Sequence, residues 1–175
     1  WKVMELGQRH TQFSGTDAAA MVAKASEDGD FYTLNGEKMW VTNGTTADLF
    51  VLFAKVTDHP DYGEKKHGGV TCFIIEKGFE GFKIGKKEDK LGIRSSDTCT
   101  LILDNCKVPK ENVLGDVGKG FAIAMNALDN SRIGIAAQGL GIAQGAYEAA
   151  LKYSKERETF GKPIAAHQTI GNYLA

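Results

Sequence analysis

The sequence is poor in the residues that build disulfide frameworks, metal sites and strongly charged surfaces. Its three cysteines, Cys72, Cys99 and Cys106, are odd in number, far apart and not arranged as a Cys-x-x-Cys pair. That pattern argues against a disulfide frame and points to free thiols in a reducing compartment. The four histidines, His10, His59, His67 and His167, have no metal-ligand spacing, so no metal is expected. A formal net charge of −1 gives no electrostatic case for nucleic acid or an anionic membrane as partner. No signal peptide is visible. The most apolar window, residues 133–151, is interrupted by Gln138, Gln144 and Glu148, which argues against a membrane span.

What is present is the composition of a soluble globular chain, 42% hydrophobic and 25% charged over 175 residues, enough for one or two domains with a sizeable core. Residues 22–108 read as β. Runs rich in Val, Ile, Phe and Thr at 21–26, 31–34, 37–42, 49–56, 69–76 and 98–103 are separated by polar or glycine turns. This spacing predicts a small antiparallel barrel or sandwich. Asn35-Gly36 predicts a type I′ hairpin turn between two short strands, because that turn needs positive φ at both central residues. A second Asn-Gly, Asn43-Gly44, predicts a further turn, leaving Trp40 and Thr42 on one face of the strand between them. Residues 85–96, rich in charge, read as a solvated loop.

Residues 107–115 form a join, marked by Pro109 and Gly115. After Gly120 alanine becomes frequent and apolar residues recur at helical intervals through Phe121, Met125, Leu128, Ile135 and Ile142. A helix is expected to about Glu156, with Gly134, Gly139, Gly141 and Gly145 marking close helix–helix contact. Gly161 and Pro163 stop it, and a second helix is expected from about Ala165. Asp129 and Arg132 are spaced for a surface ion pair. The fold class is therefore α+β: a small antiparallel β-barrel or sandwich domain, then the first helices of an α-helical bundle.

Several stretches, in order, resemble the acyl-CoA dehydrogenase family. Residues 35–44, NGEKMWVTNG, are similar to the flavin-facing strand of that family, and residues 85–96, GKKEDKLGIRSS, to a charged signature closest to its short-chain, butyryl-type members. Arg157-Glu158-Thr159-Phe160-Gly161-Lys162-Pro163, followed by His167-Gln168, resembles a third motif. Of a fourth, Thr-Glu-Pro-x-x-Gly-[ST]-Asp, the chain keeps only Gly15, Thr16 and Asp17, with His10-Thr11-Gln12 in place of Thr-Glu-Pro.

The resemblance implies a division into a divergent segment 1–14, a middle β-domain 15–115 and the start of a C-terminal helical domain 116–175. It thus implies a piece of a longer enzyme. It implies FAD-dependent α,β-dehydrogenation of a short-chain acyl-CoA, with electrons passed to an electron-transferring flavoprotein. Alternatives are a non-catalytic flavin- or acyl-CoA-binding module and a relative of the acyl-CoA oxidases. The cofactor-binding residues it implies are Gly15, Thr16, Trp40, Val41, Thr42, Arg157, Glu158, Thr159, Phe160, His167 and Gln168. Arg157 and Thr159 are implied to reach the flavin nucleotide of a neighbouring subunit in a homo-oligomer, a dimer of dimers. Thr16, Asp129 and Arg132 are implied to face substrate.

No catalytic residue is assigned. In most of the family the base lies beyond the position of Ala175, and in a minority it stands where this chain has Ser131. The compartment implied is the bacterial cytoplasm or the mitochondrial matrix.

Overall fold

The computed structural model describes residues 17–175, so the expectations placed on Gly15 and Thr16 and on residues 1–14 lie outside the described residues. Seven strands form one sheet: β1 (Lys24–Asp28), β2 (Phe31–Thr42), β3 (Leu49–Val56), β4 (Val70–Glu76), β5 (Phe82–Lys87), β6 (Thr98–Pro109) and β7 (Val113–Leu114). Helix α1 (Gly120–Glu156) follows, then a small hairpin of β8 (Glu158–Thr159) and β9 (Lys162–Pro163), and helix α2 (Gln168–Leu174). The chain divides into two compact units after Ala127.

The sheet order is β5-β6-β2-β1-β3-β4-β7, and β1 pairs with β3 in parallel while the other pairs are antiparallel. The expectation of an antiparallel barrel or sandwich is therefore corrected in that the sheet is mixed and, among the described residues, not closed into a barrel. The sheet nevertheless curls over its own face. Phe50 of β3 and Phe82 of β5 stand four places apart in the strand order, yet their rings lie 4.8 Å apart. Tyr32 of β2 meets Phe73 of β4 edge-on at 5.4 Å.

The curl has a local cause. The predicted hairpin at Asn35-Gly36 is not a turn. The chain runs through it as one strand, β2, and the register against β6 slips between Leu34 and Gly36 and again between Lys38 and Val41. Bulges of this kind bend a strand and increase its twist. Gly36 sits at φ +144°, where an added Cβ would lie 3.0 Å from Ala23, so the bulge needs a glycine for reasons of conformation and of space. The turn that does reverse the chain is Gly29-Asp30, between β1 and β2. The charged run at 85–96 also begins as strand, since β5 extends to Lys87.

The main core lies on the concave side and includes Leu34, Leu52, Phe73, Ile75, Leu101 and Val108, all nearly inaccessible. Burial of each large side chain contributes about 2–3 kcal/mol. β3 is apolar at almost every position because both its faces are covered. Phe50, Leu52, Ala54 and Val56 face the main core. Phe53 belongs instead to a second cluster with Met21, Val70, Cys72 and Ala124, Ala124 coming from the first turns of α1. That helix start is held to β4 by Gly118 N–H donating to Thr71 Oγ1 at 2.8 Å, and to the loop before β4 by Phe121 stacking on His67 at 5.1 Å.

In the second unit Ile133, Ile135, Leu140 and Ile142 of α1 are exposed. A Cβ at Gly134, Gly139, Gly141 or Gly145 would meet no atom within 4 Å, so the expected close contact at these glycines is not found among the described residues.

Gly44 closes the main core beside β6: a Cβ there would lie 2.3 Å from Cys99 Sγ. Gly44→Ala is expected to destabilise the fold by roughly 1–3 kcal/mol through overpacking. Urea unfolding measures this, and an unchanged midpoint would show that Cys99 yields without cost.

Candidate functional site

The second bulge of β2 determines how its end is displayed. Trp40 adopts φ +57°, a left-handed conformation that is costly for a bulky residue, on the order of 1–3 kcal/mol. The bulge breaks the two-residue alternation, so Lys38 and Met39 are both buried while Trp40 is 62% exposed. Val41 then returns to the core and Thr42, half-buried, pairs with Thr98 of β6. Trp40 and Thr42 thus flank a buried Val41, whose side chain is committed to the core and leaves only backbone groups for any ligand. A large apolar ring held out from a sheet on strained backbone is a flat platform for another flat group.

The turn after Thr42 is tied down at several points. Asn43, at φ +61°, donates its N–H to the Asp97 carbonyl at 2.9 Å. Thr45 donates to Asp97 Oδ2 twice, from its N–H at 2.9 Å and from its hydroxyl at 2.6 Å. Lys77 Nζ donates to the Thr45 carbonyl at 2.9 Å. The Thr45 hydroxyl, followed by its amide, holds the Asp97 carboxyl below the usual range, and Lys87 at 3.6 Å adds to the effect. The other carboxylate oxygen, Oδ1, is buried and has no hydrogen bond.

In the second unit the Arg157–Gln168 stretch makes a miniature hairpin. Phe160 (φ +53°) and Gly161 (φ +73°) form its two-residue turn. This joins two of the expected cofactor residues, since His167 Nε2 lies 3.1 Å from Thr159 Oγ1. Phe160 packs edge-on to His167 at 6.0 Å and is otherwise exposed. Arg157, Glu158 and Gln168 are exposed, and the Arg157 carbonyl accepts from Ile164 N–H at 2.8 Å. Asp129 and Arg132 form the expected i,i+3 pair at 3.5 Å, with both side chains about three-quarters exposed. Ser131 donates its hydroxyl to the Leu128 carbonyl at 2.8 Å.

Two matches to family models cover most of the chain. Residues 12–106 match "Acyl-CoA dehydrogenase, middle domain", and residues 118–175 match "Acyl-CoA dehydrogenase, C-terminal domain". The chain belongs to the acyl-CoA dehydrogenase family.

Among its relatives is the short-chain-specific acyl-CoA dehydrogenase of Megasphaera elsdenii, 50% identical over 93% of this chain. The chain spans about two fifths of that relative's length, 41%. A chain in the structure described as the electron transferring flavoprotein of Acidaminococcus fermentans superposes with a TM-score of 0.85 at 50% identity, covering 94% of this chain and 42% of that one. An acyl-CoA dehydrogenase of Bacillus anthracis, described as complexed with FAD, gives 0.85 at 38% identity over 93% of this chain and 27% of its own. No helix among the described residues is long and apolar enough to cross a membrane, and no group of them is arranged to hold a metal ion.

The residues present suit a flavin. An exposed indole beside a threonine hydroxyl offers a stacking face and a donor within three residues of β2, as a flat ring with polar edge atoms requires.

Two residues beside this strand escape a reading of the sequence. Asp97 falls between the run read as surface loop, 85–96, and the strand read at 98–103, and belongs to neither. By simple two-residue alternation Lys38 would share the face of Trp40 and Thr42, and the bulge turns it inward instead. It is 1% exposed and opposite Leu101 in the ladder, and burial lowers its pKa from 10.5 to about 8. The folded state therefore disfavours the protonated form. The cost is full below pH 8 and is relieved as pH rises from 8 toward 10.5, where the unfolded chain holds the proton that the folded chain has lost. Lys38→Met is accordingly expected to stabilise the protein by about 2–3 kcal/mol at pH 7, with the gain vanishing toward pH 10.5. Urea titrations of both proteins across pH 7–10 measure this. A gain that does not change with pH would contradict the burial argument.

Proposed function

We propose that this chain is part of an FAD-dependent enzyme that removes the α- and β-hydrogens of a short-chain acyl-CoA thioester. The observation that carries the reading is the display of Trp40 on left-handed backbone beside Thr42, within a chain 50% identical to a short-chain-specific relative. FAD, when bound, would supply the acceptor for the hydride that leaves the acyl β-carbon. Trp40 would cover one face of the ring and keep water from it. The Thr42 hydroxyl and the Val41 and Thr42 backbone would bond its polar edge and steady the charge that develops there. Gly15 and Thr16 are proposed to complete the same site.

Arg157, with its planar fork of donors, suits the diphosphate of the cofactor. Thr159 and His167, already joined, and Glu158, Phe160 and Gln168 beside them would complete that contact, which we assign to the cofactor of a neighbouring subunit. Asp129 and Arg132 are proposed, with Thr16, to contact the acyl-CoA. We assign no residue of this chain as the base that takes the α-proton. At the position where a minority of the family carries it, Ser131 has only a hydroxyl, engaged with Leu128.

An electron-transferring flavoprotein is the proposed electron acceptor, a reading supported by the likeness to the Acidaminococcus fermentans structure. The working form is proposed to be a homo-oligomer, with residues 15–115 as its middle β-domain and 116–175 opening its helical domain. Relatives are bacterial and mitochondrial, which supports either the bacterial cytoplasm or the mitochondrial matrix as location.

Thr42→Ala removes a donor whose main work is in the transition state. In the full-length enzyme it is expected to slow flavin reduction roughly 10–100-fold while changing acyl-CoA affinity much less. Rapid-mixing measurement of flavin bleaching tests this, and an unchanged rate would refute the assignment. Arg157→Ala is expected to lower FAD retention and loosen the oligomer together, as measured by gel filtration with absorbance at the flavin band. Full FAD retention in that variant would remove the cross-subunit role.

A further inference from the structure

We propose that Asp97 is a positioning residue for the flavin-facing strand, acting through the turn at Asn43–Thr45 rather than by touching any ligand. The inference rests on the flavin reading above and adds to it a residue outside the strand. Val41 and Thr42 lie between two non-glycine residues in left-handed backbone, Trp40 at φ +57° and Asn43 at φ +61°. Such conformations persist only when surrounding structure over-determines them. On the Trp40 side the constraint is the β2–β6 ladder. On the Asn43 side it is Asp97. Its carbonyl accepts from Asn43 N–H, and one carboxylate oxygen accepts both the amide and the hydroxyl of Thr45.

Asp97 also sits immediately before Thr98, the ladder partner of Thr42, so it ties the turn to the strand that Thr42 already pairs with. Its side chain is 11% exposed, which shields these bonds from competition by water. The carboxylate is divided in its work. Oδ2 holds the turn, whereas Oδ1 has no hydrogen bond and meets only the Lys87 ammonium at 3.6 Å. An asparagine carbonyl in place of Oδ2 retains both bonds to Thr45, and an alanine retains neither.

The test compares Asp97→Ala and Asp97→Asn in the full-length FAD-loaded enzyme and, separately, in its FAD-free form. In the loaded protein Asp97→Ala is expected to weaken FAD binding and slow flavin reduction about 10-fold each, the loss expected for charge-assisted hydrogen bonds. It should also shift the visible flavin spectrum, with the KM for acyl-CoA within about twofold of the parent. Asp97→Asn is expected to restore spectrum and rate to within about threefold. In the FAD-free protein the Thr45 amide is expected to exchange with deuterium more than about 10-fold faster in Asp97→Ala, and at a near-parent rate in Asp97→Asn.

A lower Tm in Asp97→Ala with an unchanged spectrum and reduction rate would leave only a structural role and overturn the proposal. So would an Asp97→Asn variant as impaired as Asp97→Ala, which would place the effect in the charge facing Lys87. A parent protein that takes up no FAD would sink the flavin reading, while the exchange measurement would still decide the clamp.

Discussion

The ladder between β2 and β6 is the interaction on which the other features of the first unit depend. It is the longest pairing in the sheet, from Phe31 opposite Pro109 to Thr42 opposite Thr98, and it is irregular in two places. A regular ladder of that length would be flatter, and Phe50 and Phe82 could not meet across the strands between them. The two slips bend the pair so that the sheet wraps one core. They also reset which side chains face in and which face out at the end of β2. The curvature that builds the core and the exposure of Trp40 therefore share a cause, in the backbone of residues 34–41.

That arrangement carries costs that other parts of the unit offset. Trp40 and Asn43 occupy left-handed backbone, and the Lys38 ammonium is carried into the core face by the same slip that releases Trp40. Offsetting them are the well-packed apolar cluster around Phe73 and Leu101 and the bonds from Asp97 to the turn. Strain and buried charge concentrated at one end of β2 are what a displayed site looks like energetically, because a strand free to relax would turn its tryptophan inward.

The second unit works on a different scale. Its hairpin is only two residues on each side, yet it fixes Thr159 against His167 and leaves Arg157 and Phe160 projecting. Positive φ at Phe160 and Gly161 allows so tight a reversal, which places the end of α1 and the start of α2 within one short segment. Charge here is carried by exposed groups, so it is screened by solvent until a ligand covers it.

Much of this was legible in the chain itself. The apolar run of β3, the helix from Gly120 to Glu156 and the motif-bearing residues follow from local pattern, since hydrophobic periodicity and glycine or proline breaks are properties of neighbours in sequence. The resemblance carried by NGEKMWVTNG also needed no coordinates. The reading failed at Asn35-Gly36, because Asn-Gly serves a hairpin turn and a bulge equally well, and only the presence of β6 alongside decides between them. It failed at β5, where the start of the charged run became strand because β6 offered it a ladder, Lys87 lying opposite Cys99. The parallel pairing of β1 with β3, the inward turn of Lys38 opposite Leu101 and the hold of Asp97 on Thr45 join residues tens of positions apart. Contacts at that separation leave no local periodicity, so tertiary structure alone determined them.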